Sequence, residues 1–369
     1  MNKRLNVDNP FYDGNASASA FGWKFQVDAA IFLFIQYIDV LEKITVEGKF
    51  QDIEILCQNG ERIYAQAKSI HNGSIDHRKE KLEDAIISLV KSPNDKENGD
   101  KLIYISNYDA PIKKSNLYTN KIVKMKSVKT EKEELEKQVN KIVQKLEKLV
   151  SESDKSKKNR YKELLKRVKE MDIDEFMVAS IYPYINTEDQ MGMFVEIENQ
   201  INKLLTIKFN IQSNYLQKFV RELLINWHEI FFINATTPEH MKSKTMTKRE
   251  LLWQIVVVLS NMDVNVDALY DEELDEDMLD EYEMYYANKS YVHERFEFFN
   301  KLVDDWKTYQ RNVKGTKEAF IRENWETYEK EFVEFEDYSL DAREYLIKKS
   351  LLRLLNHKNN INKIVEGVR

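Results

Sequence analysis

Apolar positions along the chain keep two different periods, and the points where the period changes mark out the elements. Residues 20–41 (AFGWKFQVDAAIFLFIQYIDVL) form a strongly apolar stretch that predicts a helix, and residues 44–48 (ITVEG) a short strand ending in Glu47. Strict alternation then takes over in residues 50–69 (FQDIEILCQNGERIYAQAKS), which predict a β-hairpin. Helical spacing returns over 74–91, with Ile75, Leu82, Ile86, Leu89 and Val90 on one side, and KLIYISN at 101–107 is a further strand. The predicted order is helix, three strands, helix, strand.

Beyond this block the pattern is mostly helical. Leu135, Val139, Ile142, Leu146 and Leu149 recur at alternating four and three residues, a short heptad seam in 130–151. After the polar break SESDKSKKNR, residues 161–171 resume a helix, so the pair predicts an inserted antiparallel helical hairpin. FMVASIYPYI at 176–185 reads as a strand returning to the sheet or lying along its edge, with Pro183 favouring the edge. Helices are expected at 214–232 and 248–262, the second opened by a Thr247–Glu250 capping box. Trp227, Phe231, Trp253 and the run 255–259 read as core. The last hundred residues predict helices at 269–288, 291–311, 317–336 and 341–360. Their Tyr282, Tyr285, Tyr286, Phe296, Phe298, Phe299, Trp306 and Tyr309 are more aromatic surface than one thin helical layer needs, so part of it is expected at an interface; a compact bundle burying them all competes.

The hairpin fixes its own register. A two-residue Asn59-Gly60 loop pairs Ile53 with Gln66 and mixes polar with apolar residues on both faces. A three-residue loop, Gln58-Asn59-Gly60 with Gly60 left-handed, sets Ile53 opposite Ala65 and Asp52 opposite Gln66. One face then carries Ile53, Ile55, Cys57, Ile63, Ala65 and Ala67 for a core, and the other Asp52, Glu54, Tyr64, Gln66 and Lys68 for a cleft or a solvated surface.

Composition narrows the class. With 369 residues, 42% hydrophobic, only nine Gly and five Pro, the chain builds real cores in two or three domains and is predominantly helical around a small sheet. A lone Cys57 excludes an internal disulfide and, on the apolar face, is core filler rather than nucleophile. The longest apolar runs are too short to span a bilayer and the first residues lack a secretory pattern, so a cytoplasmic protein with no membrane partner is expected. The net charge of −7 is unevenly spread: residues 101–170 hold 20 Lys and Arg against 10 Asp and Glu, whereas 263–283 hold 11 acids and no base. The basic segment suits either a phosphate backbone or a solvated helical surface.

An acid entering one strand and a carboxamide-x-lysine on the next can gather a divalent cation and an ammonium around one phosphate. The six histidines lack metal-ligand spacing; His71 and His77, near the hairpin's end, read as turn or capping residues. There is no GxxxxGK[ST] or GxGxxG motif, so the chain is not expected to bind ATP or a dinucleotide itself.

With Gly22-Trp23-Lys24-Phe25-Gln26 opening the first helix, Val46-Glu47 and Gln51-Asp52-Ile53 entering the hairpin, and Tyr64-Ala65-Gln66-Ala67-Lys68-Ser69 leaving it, the chain resembles the PD-(D/E)XK restriction-endonuclease superfamily. More narrowly, it resembles the nuclease domain of CBASS effectors and of the A subunit of Lamassu antiphage systems. The resemblance implies a restriction-endonuclease-like α/β core, with an inserted helical hairpin and an all-helical C-terminal region. It also implies a Mg²⁺-dependent (or Mn²⁺-dependent) endonuclease acting on double-stranded DNA. Asp52 would be the principal metal ligand, Gln66 would stand where the family often has Glu, Lys68 would be the catalytic lysine and Glu47 an auxiliary acid. Glu54, on the same face, is a further candidate ligand. The expected organisation is a nuclease core in 1–110, a basic hairpin in 111–172, the rest of the nuclease domain in 173–262, and a helical region for docking or oligomerisation in 263–369. Partners implied are an SMC-like ATPase that restrains the nuclease, a small third subunit, and further copies of the chain when active. Because Gln66 offers only a neutral oxygen, a catalytically silent scaffold or DNA-binding subunit with the same fold is the alternative.

Overall fold

The computed structural model describes residues 17–70, 75–93, 99–108, 121–181, 190–211, 216–238, 245–260, 269 and 294–368. The protein is mixed α/β and mostly helical. Its first described elements follow the predicted order: α1 (Ser17–Tyr37), β1 (Leu41–Val46), β2 (Ile53–Cys57), β3 (Arg62–Lys68), α2 (Ile75–Leu89) and β4 (Lys101–Ser106). α1 ends earlier than its apolar run suggests, because Leu41 is taken as the first buried residue of β1. β1 in turn stops at Val46, whose amide donates to Asn234 Oδ1 at 2.7 Å, and Glu47 follows it in the left-handed region at φ 51°. Glu47 therefore lies just past the strand rather than within it.

The sheet continues through β5 (Val123–Lys124), β6 (Met177–Ser180) and β7 (Met246–Thr247), with strand order β5-β6-β4-β3-β2-β1-β7. β3, β4 and β6 run parallel, while the β5–β6, β2–β3 and β1–β7 pairs are antiparallel. Between β5 and β6 stand α3 (Lys129–Glu152) and α4 (Lys155–Lys169), the expected helical hairpin. Its turn is tighter than the polar break suggests: Asp154 caps α4 by accepting from the Lys157 amide, so only Ser153 and Asp154 separate the helices. The strand predicted from FMVASIYPYI is β6, set inside the sheet with β5 outermost; Pro183 lies outside the described residues.

The chain divides into two compact units, the first comprising residues 1–33, 45–194 and 234–241, the second 34–44, 195–233 and 242–369. In the first unit, Tyr64, Leu102, Tyr104 and Val178 on one face of the sheet share a core with Leu82, Ala85, Ile86 and Leu89 of α2, Leu135, Val139, Ile142 and Leu146 of α3 and Val168 of α4. The heptad seam thus closes on the sheet, and its last member, Leu149, is left exposed. This corrects one expectation for the hairpin: its polar face is not an open cleft throughout, since α2 and its neighbours bury Tyr64 and leave Gln66 only 4% exposed.

The second unit holds α5 (Gln190–Lys203, from residue 195), a π-helical turn at Leu204–Lys208, α6 (Leu216–Thr236, to residue 233), α7 (Lys248–Ser260), α8 (Phe296–Val313), α9 (Lys317–Tyr328), α10 (Leu340–Asn356) and α11 (Lys358–Val368). The capping box forms: the Thr247 amide donates to Glu250 Oε2 at 2.7 Å and the Glu250 amide to Thr247 Oγ1 at 3.2 Å. Trp227 is fully buried with its Nε1 donating to the Leu251 carbonyl at 3.1 Å, as its core assignment requires. Phe296, Phe298, Phe299 and Trp306, expected in part at an interface, are buried inside the unit, where Phe298 meets Tyr328 and Phe332 edge-on. The helix expected at 269–288, with Tyr282, Tyr285 and Tyr286, lies outside the described residues but for Leu269.

Candidate active site

The hairpin adopts the three-residue loop. Gly60 has φ 85°, its amide donates to the Cys57 carbonyl at 2.9 Å, and Ile53 pairs with Ala65. That register carries Asp52, one residue before β2, opposite Gln66.

Three donors of the protein converge on the Asp52 carboxylate. Gln66 Nε2 donates to Oδ1 at 2.8 Å, the Ala67 amide to Oδ2 at 3.0 Å, and Lys68 Nζ to Oδ2 at 3.4 Å. The cluster stands where the polar face emerges from under α2: the Lys68 side chain is 24% exposed and that of Asp52 14%. It also lies at the carboxyl end of β3, beside its parallel neighbour β4 (Lys68 opposite Ser106), and such ends of parallel strands are where open sheets present crevices.

The surroundings hold this end rigid. Gln51, 4% exposed, donates Nε2 to the Ser88 carbonyl at 2.8 Å and to Ser92 Oγ at 2.7 Å, tying the residue before Asp52 to the last turn of α2. The Asp52 carbonyl accepts the Glu47 amide at 2.7 Å. Beyond Lys68, the Asn107 carboxamide grips the Ile70 backbone at both ends, accepting from its amide at 3.0 Å and donating to its carbonyl at 3.0 Å. Neither Gln51 nor Asn107 is singled out by the alternation that reveals Asp52 and Lys68, because each acts through groups distant in sequence. The signal available for both was a carboxamide standing at the end of an apolar strand pattern.

Glu54 has a different place. Its Oε1 accepts the amides of Phe50 at 2.6 Å and Gln51 at 3.1 Å, so the carboxylate turns back over Gly48, where a Cβ would meet its carboxyl carbon at 2.5 Å. It braces the entry to the hairpin rather than joining Asp52. Gln26 is half-buried on α1 with Oε1 unpartnered among the described residues. His77 is partly exposed with Nδ1 3.6 Å from Glu80 Oε2, and His71 lies outside the described residues. Cys57 is buried, and burial, reinforced by Glu61, pushes its thiol up to about 11, so it is inert.

Among the described residues no three His, Cys, Asp or Glu side chains gather as a metal-ligand set. The hard oxygens at the site are the Asp52 carboxylate and, after rotation of its amide, the Gln66 carbonyl. That sparse set fits magnesium, which commonly takes one or two carboxylates and completes its shell with water and substrate phosphate.

Comparison of the chain with protein-family models, with curated proteins and with solved structures gives no match.

Proposed function

We propose that the protein is a metal-dependent endonuclease that cleaves DNA phosphodiester bonds, its first unit a restriction-endonuclease-like core. The observation that carries this reading is the convergence of Asp52, Gln66 and Lys68 within hydrogen-bonding reach at one partly open strand end. Asp52 and the Gln66 carbonyl would hold Mg²⁺ or Mn²⁺, with Glu47, next to the Asp52 backbone, as the auxiliary acid. Bound there, the ion would neutralise phosphate oxygens and make a bound water more acidic. Lys68 leaves Asp52 for the phosphate, where its ammonium orients the attacking water and offsets the charge that builds on the non-bridging oxygens. Gln51 and Asn107 keep the two strand ends from drifting, which matters because misplacement of about 1 Å can cost on the order of 100-fold in rate.

The biological role rests on the resemblance to Lamassu-type effectors, and the restraint on the absence of a sequence-reading motif. No base-reading motif is evident in the sequence, so an unrestrained nuclease of this kind would damage its host. We place it as the effector of a bacterial antiphage or antiplasmid complex of the Lamassu type. There an SMC-like ATPase and a small third subunit restrain it, and release followed by self-association aligns two sites on the two strands.

One observation favours the second reading, a silent scaffold. Gln66 turns its amino group, not its carbonyl, toward Asp52, and with Lys68 it satisfies the carboxylate from within the protein. Incubation of supercoiled plasmid with the protein and Mg²⁺ decides between them. Cleavage that stops with EDTA and falls by roughly 100-fold or more in Lys68→Ala supports the nuclease; intact plasmid under all conditions supports the scaffold.

A further inference from the structure

The positive charge of the inserted hairpin is carried by one helix alone. α3 has six Lys against six Glu, whereas α4, KSKKNRYKELLKRVK, has eight Lys and Arg against the single Glu163. At about 3.6 residues per turn, Lys155, Lys158, Lys162, Lys166 and Lys169 fall on one stripe roughly 21 Å long. Lys155, Lys162, Lys166 and Lys169 are exposed and Lys158 is half-exposed; among the described residues only Lys169 is in an ion pair, with Glu147 at 2.8 Å. The apolar side of α4 is spent elsewhere: Val168 is buried, and Tyr161, Leu164 and Leu165 pack against the core shared with α2 and α3. No aromatic or aliphatic side chain interrupts the stripe, so it offers nothing to stack on a base or to enter a bilayer.

The helix is also tied to the candidate site. Arg167 Nη1 donates to the carbonyls of Val90, Lys91 and Ser92 at 3.4, 3.1 and 3.5 Å, closing the C-terminus of α2. Gln51, the neighbour of Asp52, grips that same terminus through Ser88 and Ser92. The stripe is therefore mounted on the frame that holds Asp52.

We propose that α4 is the rail on which duplex DNA lies, gripped by its phosphates without reference to sequence through Lys155, Lys158, Lys162 and Lys166. The identity of the polyanion rests on the nuclease reading; the surface itself rests on the lysine stripe. A straight row of cations with no stacking groups matches a regular phosphate ridge better than a single strand, whose binding sites combine charge with aromatic platforms.

The test uses the full chain carrying Lys68→Ala, without metal, and a short labelled DNA duplex in a salt titration. Each phosphate-bound lysine adds about 0.9 to the slope of log affinity against log salt. Combined Lys158→Gln, Lys162→Gln and Lys166→Gln is expected to lower that slope by about 2.7, with the thermal midpoint kept, while the matching Lys→Arg triple retains it. An unchanged slope in the Gln triple, an equal loss from neutralising Lys137, Lys141 and Lys148 of α3, or preferential capture by anionic phosphatidylserine vesicles would each overturn the proposal. The two readings separate cleanly. Stripe-dependent duplex binding by a wild-type protein that never cuts keeps the rail and removes the nuclease, whereas cutting with an unchanged KM in the Gln triple does the reverse.

Discussion

On the nuclease reading, Gln66 is the residue on which the chemistry turns. Buried and 2.8 Å from Asp52, it donates where a Glu would repel. Gln66→Glu would set two carboxylates in hydrogen-bonding range, and one of them must then take up a proton or a cation. The metal-free variant is expected to lose about 1–3 kcal/mol of stability. Since the shared proton is lost as pH rises, the penalty is larger at neutral than at acid pH. Added Mg²⁺ should restore the melting temperature of the variant much more than that of the wild type. Equal melting with and without Mg²⁺ would mean that the pair does not bind the ion. Cys57 supplies a contrasting case: its thiol, pushed up to about 11, should resist iodoacetamide in the native protein and react only on unfolding. Rapid native labelling would show that β2 opens far more readily than its buried position implies.

At the scale of elements, much was legible where a local period and a local cap agree. The hairpin register follows from alternation plus Gly60, and α7 from the Thr247 capping box, because each is decided within a few residues. What the pattern could not give was cover. Tyr64 and Gln66 alternate like a solvated face, yet helices from residues 75–169 close over Tyr64, a tertiary fact with no trace in the strand itself. The same holds for the α2 terminus, where Gln51 and Arg167 arrive from residues far apart in sequence. Arg167→Ala is expected to cost about 1–3 kcal/mol, because it strips a charge-assisted donor from several partly buried carbonyls. Denaturant unfolding measures it, and a loss within experimental scatter would mean that water replaces the guanidinium. Glu175 is a weaker tie. Hydrogen bonds from Lys124 and then Lys126 draw its carboxyl down to about 2. Its stabilisation is present above the ordinary carboxylate range and is lost as pH falls toward 2. Because the group is 38% exposed, Glu175→Gln should cost no more than about 1 kcal/mol at neutral pH, and the difference from wild type should vanish in acid.

On the scale of the whole molecule, charge and aromatic surface are segregated. The excess of cations in residues 101–170 sits on α4, while residues 263–283 carry 11 acids and no base, so the net charge of −7 conceals one strongly basic helix. The second unit buries Phe296, Phe298, Phe299 and Trp306 of α8 and Phe320, Trp325 and Tyr328 of α9, with the half-exposed Tyr309 against Trp306 and Phe320. On the nuclease reading, activation by self-association leaves a specific kinetic trace. A single site of one carboxylate, one carboxamide and one lysine would cut one strand at a time; double-strand breaks within a single encounter would require two copies on one duplex. The rate of plasmid linearisation by the isolated chain should therefore rise with about the square of protein concentration at low occupancy, while nicking rises linearly. Linearisation that tracks concentration to the first power, with a nicked intermediate preceding every break, would show that each copy works alone. Restraint by a partner would then have to act on the site itself rather than on assembly.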